Sequence, residues 1–199
     1  MFTADEFDSF LKRVPEEVLV VLDEAYCDYV QHPGYSRSIE RVRGGANVLV
    51  LRTFSKVHGL AGLRIGYGIG PAALLREMDK VRTPFNTSGV AQAAALAALG
   101  DGDHSRRSIE SNRAGMMQLT AGLDRIGAKH VPSFGNFIYI EAGVRASEVA
   151  SALERLGVIV RPLDRMGMPD GLRVTVGTTE ENAKFLAAYA KTAAAHQSS

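Results

Sequence analysis

The sequence predicts an α/β fold, in which part of a large domain with a mostly parallel sheet and covering helices precedes a smaller α+β domain. Two continuous apolar runs, Val18–Leu22 and Val48–Leu51, are typical of strands buried on both faces of a parallel sheet. After Gly127 the pattern changes to short strands alternating with helices. We therefore expect the last part of the large domain at residues 1–100, an interdomain helix at 101–126 and the small domain at 127–199.

The other elements of the first region follow from hydrophobic periodicity and from residues that start helices. Residues 4–13 form an amphipathic pattern that predicts a short helix. Residues 64–70 are expected to form a third strand. Pro71 favours the first position of the helix that follows this strand. The alanine-rich segment 86–99 carries few charges and predicts a buried helix.

The second half of the chain begins with a long helix. Residues 103–126 carry apolar side chains in a polar background, which predicts one amphipathic helix. Beyond it, strands are expected at residues 136–142, 158–161 and 172–176, and helices at residues 145–156 and from residue 179 onward. The threonines before Glu180 and Glu181 resemble a helix N-cap that is followed by an acidic first turn.

Composition excludes several classes of partner. The chain has 23 basic and 22 acidic residues without a block of either sign, so neither nucleic acid nor a membrane is expected as a partner. Cys27 is the only cysteine, which excludes an intrachain disulfide and a cysteine-pair zinc site, and the scattered histidines predict no metal site. No apolar run is long enough to span a bilayer, and the acidic start is not a secretory signal. We expect a cytoplasmic protein with a small-molecule partner.

The first candidate site is Asp23-Glu24-Ala25-Tyr26, directly after a predicted strand. Ligand sites in open α/β sheets lie beyond the carboxyl ends of strands. Taken alone, Asp23 is better explained by a turn or a cap than by a site. A magnesium-binding acid of a nucleotide hydrolase would require the phosphate-loop motif G-x-x-x-x-G-K-[ST], which the sequence lacks.

The second candidate site is Thr53-Phe54-Ser55-Lys56, which follows the other predicted buried strand. A lysine at such a strand end is either a solvated surface residue or an amine activated for imine formation by partial desolvation. Arg64 follows eight residues later in a glycine-rich segment, where its guanidinium could clamp a phosphate. A carboxylate, a phenol, a lysine and an arginine at strand ends are together what pyridoxal phosphate requires.

Five segments of the chain resemble the fold-type-I, class-II pyridoxal-phosphate-dependent aminotransferases, and they look most like the histidinol-phosphate aminotransferase family. They are V-L-D-E-A-Y at 21–26, R-T-F-S-K at 52–56, G-L-A-G-L-R-I-G-Y at 59–67, P-F-N followed by A-Q at 84–92, and L-R-V-T-V-G-T with E-E-N at 172–182. The resemblance covers nearly the whole chain in the family's order. It implies pyridoxal phosphate as cofactor.

The resemblance also implies a role for three residues at the reacting part of the cofactor. Asp23 would pair with the pyridine nitrogen, and Tyr26 would hydrogen-bond the cofactor's 3-oxygen. Lys56 would be the Schiff-base lysine and the general acid and base of the proton shift.

Further roles implied by the resemblance concern phosphate and substrate. Ser55 and Arg64 would bind the cofactor phosphate, with assistance from Thr53. Arg173 would grip the substrate α-carboxylate, the alternative being an exposed strand cation. Arg161 would contact the substrate's phosphate end, and Asn136 would either contact substrate or order a turn of the small domain.

The activity implied by the resemblance is transfer of an amino group from L-histidinol phosphate to 2-oxoglutarate, in histidine biosynthesis. Alternatives are an aromatic amino-acid aminotransferase or a phosphate-ester amino-acid decarboxylase of the same family, and a non-catalytic aminotransferase remnant. Family members are homodimers that take an amino donor and a 2-oxo acid. They also carry an N-terminal stretch with a glycine-rich phosphate turn, so we expect this chain to be a C-terminal fragment with impaired activity.

Overall fold

The computed structural model describes residues 1–35, 38–143 and 145–197. The chain divides into two compact units, Met1–Ser108 and Ile109–Ser199, each with its own sheet. Helices and sheets in both units confirm the predicted α/β class. The three regions expected at 1–100, 101–126 and 127–199 stay a prediction.

The described residues of the first unit contain three strands and four helices, and a fifth helix begins there. The elements are α1 Ala4–Leu11, β1 Val20–Asp23, α2 Ser38–Arg43, β2 Val48–Thr53, β3 Gly66–Ile69, α3 Ala72–Val81, α4 Gly89–Gly100 and α5 Gly102–Ile126, which ends in the second unit. Short 3-10 turns lie at Cys27–Tyr29 and Ala61–Leu63. Of these elements, only α2 lacks a counterpart among the sequence predictions.

The sheet of the first unit has the order β1-β2-β3. β1 runs parallel to β2, with Asp23 opposite Leu51. β3 runs antiparallel to β2, with Gly66 opposite Thr53. The expectation of a mostly parallel sheet is therefore correct for only one of the two strand pairs.

One face of this sheet forms the core of the first unit. Val48 and Val50 are fully buried on it together with Phe7 of α1, and side chains of β1, β3 and α2 pack around them. Helix α1 begins with a capping box in which Thr3 and Glu6 satisfy each other's backbone N–H groups. Since side chains alternate along a strand, Asp23 and Thr53 lie on the opposite face.

Two expectations of burial in this unit are wrong. Val18–Leu22 was expected to be buried on both faces, but Val21 is 52% exposed. Val21 points away from the core formed by Val48 and Val50, and β1 lies at an edge of the sheet. Helix α4 was expected to be buried, yet only Ala91 and Ala95 are buried, and Leu96 is 74% exposed.

Smaller corrections concern the ends of elements. Pro71 is the N-cap of α3, one position before the predicted first helical residue. The strand expected at 158–161 is reduced to Arg161–Pro162. The last helix begins at Thr179 as expected, and its cap is Thr178, which accepts a hydrogen bond from Glu181 N–H.

The second unit packs helices on an antiparallel sheet of order β4-β5-β7-β6. Its elements are the end of α5, β4 Lys129–Val131, β5 Phe137–Glu141, α6 Ala146–Arg155, β6 Arg161–Pro162, the 3-10 turn Asp164–Met166, β7 Gly171–Thr175 and α7 Thr179–Gln197. Leu119 and Leu123 of α5, Leu153 of α6 and Phe185 of α7 meet the buried Ile138 of β5 in one core. All these elements except β4 and the 3-10 turn were expected.

Two structural findings bear on the excluded classes of protein. In the described part of the chain, no helix combines the length and the apolar character needed to cross a bilayer. The same residues contain no cluster of histidine, cysteine and acidic side chains arranged to hold a metal ion.

Candidate active site

The predicted reactive groups of the first unit meet at one end of its sheet. The Lys56 ammonium lies over the ring of Tyr26, with Nζ 5.0 Å from the ring centroid. Tyr26 follows the end of β1 and Lys56 follows the end of β2, and these strands are parallel neighbours. An amine and a phenol are thus in contact at the carboxyl ends of adjacent parallel strands, where α/β sheets place their ligand sites.

Asp23 marks the point where β1 becomes the loop that carries Tyr26. Its Oδ1 accepts a hydrogen bond of 3.0 Å from Ala25 N–H, which forms a local turn and fixes the direction of the carboxylate. The chain then enters the 3-10 turn Cys27–Tyr29, with Tyr26 at its N-cap. Asp23 is exposed and lies on the same face as Thr53. Asp23 therefore stabilises a local turn and also lies on the sheet face of the candidate site.

The loop that carries Lys56 is held by short-range hydrogen bonds. Thr53 Oγ1 accepts a hydrogen bond of 3.0 Å from Ser55 N–H, and Lys56 C=O accepts one of 2.9 Å from Gly59 N–H. Gly59 has a φ of 70°, a conformation that favours glycine because it has no Cβ. Phe54 and Val57 on either side of the loop are buried, while Lys56 itself is half-buried. The loop is anchored by its apolar residues and presents its polar ones.

Arg64 lies near this loop through the pairing of β2 with β3. Phe54 N–H donates to Ile65 C=O at 3.2 Å, one residue beyond the last paired residues Thr53 and Gly66, and Arg64 precedes Ile65 in the chain. Arg64 has a φ of 52°, in the left-handed region that non-glycine residues seldom adopt. Its Nη1 donates to Ala61 C=O at 2.8 Å, which turns the guanidinium along the loop.

A buried ion pair that the sequence analysis did not identify lies behind these residues. Glu24 Oε2 accepts hydrogen bonds from Arg52 Nε at 3.0 Å and from Arg52 Nη2 at 2.9 Å. Burial is the largest single effect on the pKa of Arg52 and lowers it, but hydrogen bonds with Glu24 and Tyr67 and the nearby negative charges together outweigh burial and raise that pKa. The sequence offered a signal for this pair, because Glu24 follows Asp23 and Arg52 precedes Thr53 in the two motifs already identified.

Two other groups near the ion pair have raised pKa values. Burial raises the pKa of the Cys27 thiol to about 12, with a further contribution from the negative charge of Asp28. Burial also raises the pKa of the Tyr35 phenol, assisted by the charge of Glu24. Both groups are therefore neutral at physiological pH, which makes Cys27 a poor nucleophile.

The predicted substrate residues belong to the second unit, where two of them line one cavity. Arg161 and Arg173 are cross-strand partners on β6 and β7, and both face a cavity of about 590 Å³. Arg173 has its guanidinium carbon 5.3 Å from the centroid of the Phe137 ring. Its Nε is buried and has no hydrogen-bond partner among the described residues. A buried guanidinium donor without an acceptor is suited to binding an anion.

Asn136 and the buried Asn182 have structural contacts in the same unit. Asn136 C=O accepts a hydrogen bond of 2.9 Å from Val176 N–H, which extends the pairing of β5 and β7. Asn182 Oδ1 accepts a hydrogen bond of 2.9 Å from Gly177 N–H, and Asn182 Nδ2 donates one of 3.2 Å to Gly177 C=O. It also donates to Gln118 Oε1 at 3.1 Å. Asn182 therefore orders the turn that follows the strand of Arg173, a function that the sequence analysis missed.

Comparison with known proteins identifies the family. A model of the aminotransferases of class I and II matches residues 1–189. The chain belongs to this aminotransferase family. The fold predicted from the motifs is thereby confirmed as that of a fold-type-I aminotransferase, of which this chain is a part.

Curated relatives of this aminotransferase chain include histidinol-phosphate aminotransferases. The protein named histidinol-phosphate aminotransferase 1 of Nitrosococcus oceani is 48% identical over 183 residues, which are 92% of this chain and 50% of the relative. The one of the same name from Cupriavidus pinatubonensis is 49% identical over 188 residues, or 93% of this chain and 50% of the relative. The chain thus spans about half the length of the curated relatives it matches.

A solved aminotransferase structure gives a similar result. The histidinol-phosphate aminotransferase of Sinorhizobium meliloti, solved in complex with pyridoxal-5'-phosphate, superposes with a TM-score of 0.83 at 29% identity. The match covers 98% of this chain and 54% of that one.

Proposed function

We propose that the whole protein is a pyridoxal-phosphate-dependent aminotransferase that transfers an amino group from L-histidinol phosphate to 2-oxoglutarate. The products are imidazole acetol phosphate and glutamate. The observation that carries this proposal is the contact of Lys56 with Tyr26 at the carboxyl end of the sheet that also ends in Asp23. The names of the curated relatives support the choice of substrate.

The chemistry of the residues present fits this cofactor. The amine of Lys56, the phenol of Tyr26 and the carboxylate of Asp23 lie at adjacent strand ends. The hydroxyls of Thr53 and Ser55 lie just before the amine, and the guanidinium of Arg64 lies on the segment that leads to β3. Gly66 and Gly68 add no side chain to the sheet face that carries Asp23 and Thr53. When bound, pyridoxal phosphate supplies an electron sink for the negative charge left at the substrate α-carbon.

Each candidate site residue of the first unit would have a separate role in binding the cofactor or in proton transfer. Asp23 would hold a proton on the ring nitrogen, and Tyr26 would donate a hydrogen bond to the ring's 3-oxygen. Lys56 Nζ would anchor the cofactor and then accept the proton from the substrate α-carbon. Ser55 and Arg64 would hold the phosphate, because a hydroxyl and a guanidinium suit its oxygens, and Thr53 orients Ser55 through its backbone N–H.

The arginines of the second unit would bind the two substrates. Arg173 would grip the carboxylate of glutamate, since its buried Nε has no acceptor among the described residues. Arg161, its cross-strand partner, would contact the phosphate of histidinol phosphate. Asn136 would act through the turn that its carbonyl fixes. By family kinship we also propose that the whole protein is a cytoplasmic homodimer, which light scattering of the purified protein would test.

Covalent trapping on Lys56 tests the cofactor site. The 199-residue chain is incubated with pyridoxal phosphate and reduced with borohydride, and labelled lysines are located by mass spectrometry. We expect label on Lys56 in preference to the other lysines, and loss of this label in Lys56→Ala, while the control Lys80→Ala retains it. Equal labelling of all lysines would refute the site assignment.

Separate half-reactions test the substrate assignment in the whole protein. Loss of a charged hydrogen bond costs about 1.5–3 kcal/mol, or roughly 10- to 100-fold in reactivity. We expect Arg161→Ala to slow the half-reaction with histidinol phosphate, and Arg173→Ala to slow the one with glutamate. L-Histidinol without its phosphate should react poorly. A preference for aromatic amino acids over histidinol phosphate would instead identify an aromatic aminotransferase.

The isolated chain is expected to bind the cofactor weakly and to turn over slowly, because it spans about half the length of its curated relatives. Rapid turnover by the isolated chain would contradict this expectation. No label on Lys56 in either the chain or the whole protein would favour a non-catalytic remnant.

A further inference from the structure

Glu24 and Arg52 lie behind the candidate active site, at the point where β1 and β2 end. Glu24 directly follows Asp23, and its N–H donates to Leu51 C=O at 2.9 Å, one step beyond the last paired residues. Arg52 precedes Thr53 on β2. Because side chains alternate along strands, Arg52 points to the face opposite Thr53 and Asp23.

The pair has the geometry of a rigid link. Two N–H groups of Arg52 donate to the same oxygen, Glu24 Oε2, at 3.0 and 2.9 Å. The Glu24 side chain is 1% exposed and that of Arg52 is 26% exposed. A planar guanidinium that makes two bonds restricts both the separation and the angle between the two chains.

The pair is poorly explained as a device for stability alone. Removing a carboxylate from water is costly, and buried ion pairs are often matched in stability by apolar residues of similar volume. Glu24 Oε1 is buried and has no hydrogen-bond partner among the described residues, so the desolvation is only partly compensated. The clearer consequence of the pair is geometric, because it joins the chain between Asp23 and Tyr26 to the chain that leads to Lys56.

A second layer extends this link to the lysine loop. Arg52 is the cross-strand partner of Tyr67 on β3. The ring of Tyr67 lies 5.7 Å from that of Phe54, which lies 5.1 Å from that of His58. Phe54 and His58 stand two residues before and two residues after Lys56. The side chains beside the lysine therefore pack in series onto the residue that faces Arg52.

We infer that Glu24 and Arg52 are positioning residues that set the separation between Asp23 and Lys56, and hence the fit of the cofactor between them. The inference rests on the proposed function, in which Asp23 and Lys56 bind opposite ends of the cofactor. It adds a role for side chains that face away from the ligand and act through the strand ends.

The test compares Glu24→Gln with a matched control in the 199-residue chain. Glutamine retains the shape of glutamate but removes the charge that holds the guanidinium. The control is Asp8→Asn, which breaks another two-bond pair of the same unit, in which Arg41 Nη2 donates to Asp8 Oδ2 at 2.6 Å between α1 and α2. Labelling of Lys56 by pyridoxal phosphate and borohydride is measured relative to Lys12 and Lys80, and circular dichroism reports the folded fraction.

We expect Glu24→Gln to lower the labelling of Lys56 on the order of tenfold, because a small misplacement of reacting groups costs one to two powers of ten. Lys12 and Lys80 should label as before, and Asp8→Asn should label like the parent chain. Arg52→Lys, which retains the charge without the fork, should show a smaller fall. If Glu24→Gln does not fold, Arg52→Lys decides the question alone.

The outcomes separate this inference from the function on which it rests. Failure of both the parent chain and the whole protein to label at Lys56 would refute the proposed cofactor site. Normal labelling in the parent and equal labelling in the folded variants would refute the positioning role alone. A fall that follows the folded fraction, or an equal fall in Asp8→Asn, would show that the pair serves stability only and would also overturn the inference.

Discussion

Replacing Gly66 with alanine should push apart the two strands that carry the candidate phosphate-binding loop. Gly66 lies on β3 opposite Thr53, and a Cβ built at this position would lie 2.6 Å from the Arg52 carbonyl oxygen. Gly68, on the same strand and the same face, is a matched control. A Cβ there would meet the side chains of Leu49 and Leu51 at 3.4 and 3.5 Å, which are ordinary contacts.

The magnitude follows from these distances. An ordinary contact begins near 3.4 Å, so 3.4 minus 2.6 leaves about 0.8 Å that the backbone of β2 or β3 must yield in Gly66→Ala. The obstacle is a backbone oxygen of a paired strand, which cannot rotate away as a flexible side chain does. Overpacking of this kind costs about 1–3 kcal/mol. Gly68→Ala should lie within about 0.5 kcal/mol of the parent chain, as substitutions without a specific clash usually do.

The assay is native-state hydrogen exchange in increasing urea, read by mass spectrometry on peptides that cover β2 and β3. A local readout is needed because the chain has two units that can open separately. At about 2 kcal/mol, the midpoint for these peptides should fall by roughly 1 M urea in Gly66→Ala. Peptides of α6 and β7 serve as an internal reference and should not change.

The reasoning would be refuted if Gly66→Ala left the exchange of β2 and β3 unchanged. It would also be refuted if Gly68→Ala were destabilised to the same extent, because the loss would then reflect strand glycines in general rather than the approach to the Arg52 carbonyl.

Two further predictions follow from individual buried groups. Because burial raises the pKa of Cys27 from 9.0 to about 12, alkylation by iodoacetamide at pH 8 should be slower in the folded chain than in urea by roughly two to three powers of ten. The raised pKa also contributes stability that is present below pH 9 and is lost as the pH rises towards about 12, so the alkaline loss of stability in urea denaturation should be smaller in Cys27→Ala than in the parent chain. Equal alkylation rates in both states would contradict the assignment. Asn182→Ala should destabilise the second unit by about 1–3 kcal/mol, since Gly177 and Gln118 lose buried partners. The same urea series on peptides of β7 and α7 measures the effect, Gln118→Ala should cost less, and an unchanged midpoint would contradict the role of Asn182.

Most elements of the fold could be predicted because their signals are local. The apolar run of β2 and the amphipathic pattern of α5 each fix an element without reference to the rest of the chain. The burial of an element depends on what covers it, which is a tertiary property. The apolar character of β1 and α4 predicted burial, yet Val21 of β1 and Leu96 of α4 are exposed, and only Ala91 and Ala95 of α4 are buried. The direction of β3 likewise depends on the path of the chain through residues 54–65.

The same distinction applies to the candidate site. Lys56 and Tyr26 were singled out by residue type and by their positions after strands, and the structure brings them into contact. Glu24 and Arg52 were overlooked because charged residues in a sequence indicate exposure, while their burial is a consequence of their pairing. The roles of the site residues in binding and catalysis stay predictions that the trapping and half-reaction experiments address.

The left-handed backbone of Arg64 has a consequence for how this protein responds to selection. An arginine in that conformation is disfavoured by roughly 1–2 kcal/mol, a penalty that glycine avoids. Libraries of the whole protein randomised at this codon and sorted for thermal resistance should therefore enrich glycine, whereas libraries sorted for the proposed activity, by growth without histidine, should retain arginine. The opposing enrichments would measure, at a single position, how much stability the protein loses by having an arginine there.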